Sequence, residues 1–133
     1  GIRGELKVFG NDYNTPDGTC IRDFIDVNDL AEAHISALLY LEKQKSNSLF
    51  ESYNIGTGKG ASVQELIDTF TQATGIQIPY SYANRRPGDI EKIWAETSLA
   101  NQALNWKAKT PLHETLRNAW AWEQNYRNGS KDK

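Results

Sequence analysis

The sequence predicts an α/β fold. Short runs of strand character alternate along the 133 residues with stretches of helical period. Helix-start signals stand at the head of those stretches: Asp29 with Glu32, Ser62 with Glu65, and Thr110 before Pro111. The connections between them are rich in Gly, Asn, Asp and Pro, above all from Phe9 to Arg22.

Taken in order, Leu6, Val8 and Phe9 predict a short strand that enters this loop. Phe24-Ile25-Asp26-Val27 reads as a second strand. A helix opening on an Asp29–Glu32 capping box follows to about Lys45, with Leu30, Ala33, Ala37, Leu38 and Leu41 as its apolar stripe. Ser46-Asn47-Ser48 breaks it. Tyr53-Asn54-Ile55 reads as a brief strand ending in Gly56-Thr57-Gly58-Lys59-Gly60. A Ser62–Glu65 capping box then opens a helix with Val63, Leu66, Ile67, Phe70 and Ala73 inward, and Gly75 stands where a left-handed residue closes it. Ile76, Ile78, Tyr80 and Tyr82 alternate as a half-buried strand does. After the turn Arg85-Arg86-Pro87-Gly88-Asp89 comes a short extended piece at Ile93-Trp94. Thr97 caps a helix through Leu104, and Thr110-Pro111 supplies the N-cap and first residue of a last helix bearing Leu112, Leu116, Ala119 and Trp120 on one side. Residues 128–133 read as a flexible polar tail.

Composition narrows the function classes. A net charge of −2 argues against a nucleic-acid surface, and no apolar run approaches membrane-spanning length. Gly1-Ile2-Arg3 is no secretory signal, and Gly1 in place of methionine reads as a chain cut from a longer one. Cys20 stands alone, which fits a reducing cytoplasm and a small packed side chain better than a nucleophile.

Several motifs bear on chemistry. Gly56-x-Gly58-x-Gly60 follows a strand and precedes a helix. It fits neither G-x-G-x-x-G nor the Walker pattern, so a tight turn is the simpler use. His34 and His113 lack a second ligand at metal spacing and read as ordinary helix residues. The four tryptophans gather late in the chain and suit packing of the C-terminal helices, with Trp94 close enough to the arginine turn to line a pocket. Asp12 and Asp17 read as turn caps. Arg22, Arg85 and Arg86 are the sharper feature. Guanidinium forks bind phosphate oxygens bidentately, and two rigid loops carrying them suit a diphosphate. Surface ion pairs, Arg86 with Asp89 or Arg22 with Asp23, account for the same spacing.

Read together, several stretches resemble the UDP-glucose 4-epimerase family of extended short-chain dehydrogenases/reductases. They are Val8-Phe9-Gly10-Asn11-Asp12-Tyr13, Asp17 to Phe24, Val27-x-Asp29-Leu30-Ala31, Tyr53 to Gly60 with Ser62-Val63, Arg85 to Asp89, and Leu104 to Ala108. The likeness runs in order from about Leu6 to Trp122. It implies that Leu6, Lys7 and Phe9 lie along the uracil, and that Arg22 and Arg86 hold the diphosphate. It further implies that Val63 packs against the nucleotide, that Asp89 bonds a ribose hydroxyl, and that Ile93 bounds the room around the sugar C2 substituent. Phe24 stands where many such enzymes have tyrosine, and Asp26 replaces a frequent histidine.

The family's reaction uses NAD, which takes a hydride from sugar C4 and returns it to the other face. Neither its glycine fingerprint nor its Tyr-x-x-x-Lys pair occurs in this chain, so the resemblance implies an incomplete Rossmann-type fold with the NAD-binding half absent. No catalytic residue is then expected here. Residues 1–127 would be the substrate-binding C-terminal segment, with 24–58 completing the missing sheet. The faces meant for that sheet predict partner burial, oligomerisation or disorder around Asp29–Lys45. The parent enzyme is expected to be a cytoplasmic homodimer that epimerises UDP-galactose and UDP-glucose in galactose metabolism. A different nucleotide-sugar dehydratase or uronate epimerase, or a non-catalytic nucleotide-sugar binding module, are the alternatives.

Overall fold

A strand persists only where a neighbour takes its backbone N–H and C=O groups, and this requirement decides which predicted strands form. In the computed structural model, which describes residues 4–44 and 50–129, two small ladders satisfy it. Strand β1 (Leu6–Phe9) runs parallel to β4 (Tyr80–Ala83), Leu6 facing Tyr80 and Phe9 facing Ala83. The amides of Leu6 and Gly10 extend the pairing to the carbonyls of Pro79 and Ala83, at 2.8 Å each. Strand β2 (Ile21–Arg22) runs antiparallel to β3 (Ala61–Ser62). Ile21 also bonds a third segment: its amide donates to the Glu91 carbonyl and its carbonyl accepts from Ile93.

The strand predicted from Ile76 is therefore shorter than its alternation. Pro79 has no amide to give, and β4 begins beyond it. Its phase is also reversed: Tyr80 and Tyr82 are exposed, while Ser81 and Ala83 are half-buried. The Tyr82 hydroxyl instead donates to Gln64. Residues 24–26 and 53–55, both predicted as strands, join no ladder among the described residues. Their side chains are used all the same, with Ile25, Tyr53 and Ile55 packing around a core of Ala33, Leu104 and Trp106.

Helix α1 (Val27–Glu42) starts earlier than predicted because Asp26, not Asp29, is its N-cap. Asp26 is extended (φ −68°, ψ 140°) and accepts from the Asn28 amide. The supposed capping box has another use. Asp29 is buried, and its Oδ2 accepts from the amides of Lys109 (3.1 Å) and Thr110 (2.8 Å), while Glu32 pairs with the Lys109 ammonium at 2.8 Å. Both acids thus tie α1 to the segment that opens the last helix. Of the predicted stripe Ala33 is buried, but Leu38 and Leu41 are exposed, and Ile35 and Leu39 with them. The break at Ser46-Asn47-Ser48 lies outside the described residues, as do residues 1–3 and 130–133.

Helix α2 (Val63–Thr74) follows the prediction closely. Its Ser62–Glu65 capping box is complete, and Gly75 ends it with φ 73°. Helix α3 (Ser98–Leu104) begins after Thr97, whose hydroxyl makes no capping bond; the Glu96 carboxylate receives the Ser98 amide instead. Helix α4 (Leu112–Gly129) takes its first turn on the Pro111 carbonyl and packs on α2, with Phe70 and Trp120 edge-to-face at 5.8 Å. Leu112, Leu116 and Trp120 are half-buried, whereas Ala119 is exposed. Residues 128 and 129, predicted as tail, remain helical. No helix among the described residues is long and apolar enough to cross a membrane.

Asp29→Ala leaves the part-buried amides of Lys109 and Thr110 without their acceptor, and losing a hydrogen bond to a charged group costs roughly 1.5–3 kcal/mol at most where water can reach the donor. The expected outcome is a fall in denaturation midpoint with both α1 and α4 losing amide protection together. Unchanged protection at Lys109 and Thr110 would contradict the role given to Asp29.

Candidate functional site

The loop between β1 and β2 needs two backbone reversals, at Gly10 (φ +83°) and Gly18 (φ +79°). A side chain at Gly18 would put Cβ 2.1 Å from the Asn11 carbonyl oxygen. Asp17 accepts from the amide and hydroxyl of Thr19, at 2.9 and 2.7 Å, and from the Ser62 hydroxyl that caps α2. Thr19 Oγ1 in turn accepts from the Gln64 amide, and the Cys20 carbonyl accepts from Val63. The loop is thereby seated on the first turn of α2. Burial pushes the Asp17 carboxyl up, but the Ser62 and Thr19 donors outweigh it and hold the group below its ordinary value.

The loop after β4 faces this one. Arg85 donates from Nε to Asp12 Oδ1 at 2.7 Å and lies 4.0 Å above the Tyr13 ring, so its charge and its flat face are both engaged. Arg86 goes the other way. Its Nε and Nη2 meet the two Asp89 oxygens at 3.1 and 3.2 Å, and its guanidinium lies 4.6 Å from the centre of the Phe9 ring. Arg22 anchors Nη1 on the Ile21 carbonyl and brings Nη2 to 3.9 Å from Asp89 Oδ1. Two arginines more than sixty positions apart therefore converge on one carboxylate. The Arg86–Asp89 ion pair weighed in the sequence is present. Arg22–Asp23 is not.

Asp23 has a different place, one that sequence reasoning missed. Its carboxylate accepts from the amides of Thr57, Gly58 and Ala95 and from the Thr57 hydroxyl at 2.6 Å. A Cβ on Gly56 would lie 2.4 Å from Asp23 Oδ2. The Gly56–Gly60 turn thus already holds an anion, and it belongs to the chain. The signal was available: a glycine turn full of free amides, without a phosphate motif, calls for an internal acceptor. The Thr57 and Gly58 amides of this turn are thereby already engaged.

Arg22, Tyr53, Ile55, Ile93 and Trp94 line an open cavity of about 590 Å³, and the Ile93 amide bonds the carbonyl next to Arg22. Trp94 does line a pocket, while Trp106 is buried and Trp122 stacks on Tyr126 in the open. Leu6 and Phe9 are partly exposed on β1, where the Lys7 ammonium bonds Ser81 Oγ and pairs with Glu5. Val63 is the half-buried first residue of α2. Phe24 lies elsewhere, lining a cavity of about 450 Å³ with Thr110 and Leu112. Cys20 is buried, His34 is a helix residue whose Nδ1 meets the Leu30 carbonyl, and no metal-binding group of side chains occurs among the described residues.

A family model described as GDP-mannose 4,6 dehydratase matches residues 3–119. The chain is 52% identical over 122 residues to a UDP-glucose 4-epimerase of Cyamopsis tetragonoloba, covering 92% of this chain and 34% of that protein. It is 48% identical over 130 residues to a probable UDP-arabinose 4-epimerase of Oryza sativa subsp. japonica, covering 97% of this chain and 30% of that one. Among solved structures it superposes on a UDP-glucose 4-epimerase from Stenotrophomonas maltophila with bound NAD and formylated UDP-arabinopyranose. The TM-score is 0.90 at 41% identity, covering 96% of this chain and 37% of that one. The chain thus spans about a third of the length of these relatives.

The Asp17 carboxyl sits below its ordinary value in the folded loop, so its contribution is present above the unfolded carboxylate range, near about 4, and is lost as pH falls through the folded value. Amide protection at Thr19 and Gln64 is expected to collapse on acidification before that of α4. Asp17→Asn should lower that protection at neutral pH and flatten its acid dependence. An unchanged acid profile would refute this.

Proposed function

Because the chain belongs to the GDP-mannose 4,6 dehydratase family, we propose that it is the substrate-binding C-terminal segment of a UDP-glucose 4-epimerase. The observation that carries this is the meeting of Arg22 and Arg86. Two guanidinium groups against one carboxylate leave a surplus positive charge at an open site. Fork-shaped donors from two directions suit the bridged oxygens of a diphosphate. The partly exposed apolar surface of Leu6 and Phe9 runs up to Arg86 and offers the uracil a flat neighbour, with Lys7 contributing backbone and Val63 packing against the nucleotide. Asp89, within reach of both arginines, takes a ribose hydroxyl. Ile93 and Trp94 lie on the Arg22 side, where the sugar would leave the diphosphate, and the apolar Ile93 limits the space around C2.

The chemistry at sugar C4 belongs to NAD, which supplies a hydride acceptor when bound. These residues do not hold it, and the chain has no Tyr-x-x-x-Lys pair for the accompanying proton. The segment alone is accordingly inactive, and its part is to bind and orient the UDP moiety. Residues 24–26 and 53–55, which join no ladder among the described residues, together with the exposed apolar residues of α1, are suited to completing the nucleotide-binding sheet of the parent enzyme. That enzyme is read as a cytoplasmic homodimer serving galactose metabolism on UDP-galactose and UDP-glucose.

Titration of the chain with UDP, followed by NMR at the arginine Nε–H groups, tests the reading. Millimolar UDP is expected to shift Arg22 and Arg86 and to leave Arg85 in place. Each charge-assisted bond is worth roughly 1.5–3 kcal/mol, so Arg22→Ala or Arg86→Ala should weaken binding by about tenfold or more. A double variant that binds UDP as tightly as the parent would end the proposal. The reading also requires that the reading frame upstream of Gly1 encode a glycine-rich strand-turn-helix and a Tyr-x-x-x-Lys; a frame lacking both would favour a non-catalytic binding module.

A further inference from the structure

We infer that Asp89 is an internal counter-anion which a ligand must displace from Arg22 and Arg86, so that the site selects by charge as well as by shape. This rests on the diphosphate reading above. The Asp89 side chain is 16% exposed, against 28% for Arg22 and 60% for Arg86, so the carboxylate is the most enclosed member of the group. Both of its oxygens are engaged by Arg86, and one also faces Arg22. It stands two residues after Pro87 on the tight turn at Gly88 (φ +84°), where its amide bonds the Arg86 carbonyl at 3.2 Å. Nothing has to be brought in to form this pair, because the turn holds acid and base three residues apart.

The consequence is a threshold. A monoanion that approaches Arg22 and Arg86 replaces one carboxylate by one charge of the same kind and gains little in exchange. A diphosphate brings at least two charges and more acceptor oxygens than Asp89, so it can engage both forks at once. Once released, the Asp89 carboxylate is an acceptor without a donor, and a ribose hydroxyl can meet that need. Inorganic pyrophosphate has no such hydroxyl. Asp89 therefore opposes any anion at the two forks and compensates only those that carry a ribose.

Asp89→Asn removes the competing charge while keeping the shape of the side chain. Inorganic pyrophosphate and UDP are titrated separately into the parent chain and the variant, with binding read by NMR. Pyrophosphate is expected to bind the variant at least about tenfold more tightly, a difference of about 1.4 kcal/mol, while UDP gains less or weakens. Asp89→Ser must change the ratio of the two affinities in the same direction, and native amide protection across β1 and β4 certifies the fold of both variants. Pyrophosphate binding that is absent or no tighter in both variants overturns the inference. If UDP binding is still lost in Arg22→Ala and Arg86→Ala, the diphosphate reading survives that failure; if it is not, both fall.

Discussion

Carboxylates bonded to backbone amides hold this chain together where sheets do not. The two ladders are small, and much of the chain between them is irregular. Irregular backbone leaves N–H groups that need acceptors, and four aspartates within thirteen positions provide them. Asp17 takes the amide of Thr19, Asp23 those of Thr57, Gly58 and Ala95, Asp26 that of Asn28, and Asp29 those of Lys109 and Thr110. Bonds to a charged acceptor are about twice as strong as neutral ones, and these reach across as many as 81 positions. Those of Asp23 and Asp29 join segments far apart in the chain, while those of Asp17 and Asp26 set a local turn and a helix start.

The site inherits its geometry from this stitching. Asp23 draws Ala95 against the glycine turn, and Ile21 bonds residues 91 and 93 on the same side. Arg22 stands between these two anchors, so its side chain leaves a backbone fixed on both flanks. Arg86 gains the equivalent support from its neighbour. The contact of Arg85 with Asp12 and Tyr13 ties the second arginine turn to the loop that ends in Arg22. The convergence at Asp89 is thus an outcome of backbone placement and does not depend on two long side chains finding each other in solvent.

What could be read from the sequence follows from how local each signal is. The Ser62–Glu65 box and Gly75 depend on near neighbours and were legible, and the strand at Leu6–Phe9 was legible from its composition although its ladder partner, Tyr80–Ala83, is far along the chain. Arg22, Arg85 and Arg86 were legible as candidates because they sit in turn-rich loops, but the choice of Arg22 with Arg86 rests on the family resemblance, and only the contacts of Arg85 with Asp12 and Tyr13 set it apart. Asp29 misled because an acid followed three residues later by glutamate marks a helix start, and no local pattern shows that Asp29 instead reaches the amides of residues 109 and 110 and Glu32 the Lys109 ammonium. Phe24–Val27 and Tyr53–Ile55 have strand composition but meet no ladder partner among the described residues, and composition alone supplies none. The stripe on α1 failed for the same reason. Its outer leucines are apolar in sequence and exposed in space, because periodicity shows which residues share a face and not whether anything covers it.

Arg85 and Arg86 show what distinguishes an available cation from a structural one. They are adjacent, identical in chemistry and both charged, so no scale of charge or propensity separates them. Neighbouring residues of an extended chain point to opposite sides, and here the sides differ. One side holds Asp12 and the buried ring of Tyr13, which engage the guanidinium through Nε, Nη2 and its flat face. The other holds the exposed edge of Phe9 and a carboxylate on a three-residue tether, which engages the fork but can be exchanged for a stronger anion. A run of two arginines in such a turn is thus better read as one clamp and one hand than as a patch of doubled charge. The clamp must be arginine because it needs a planar face and a directed Nε–H together, which a lysine ammonium does not offer.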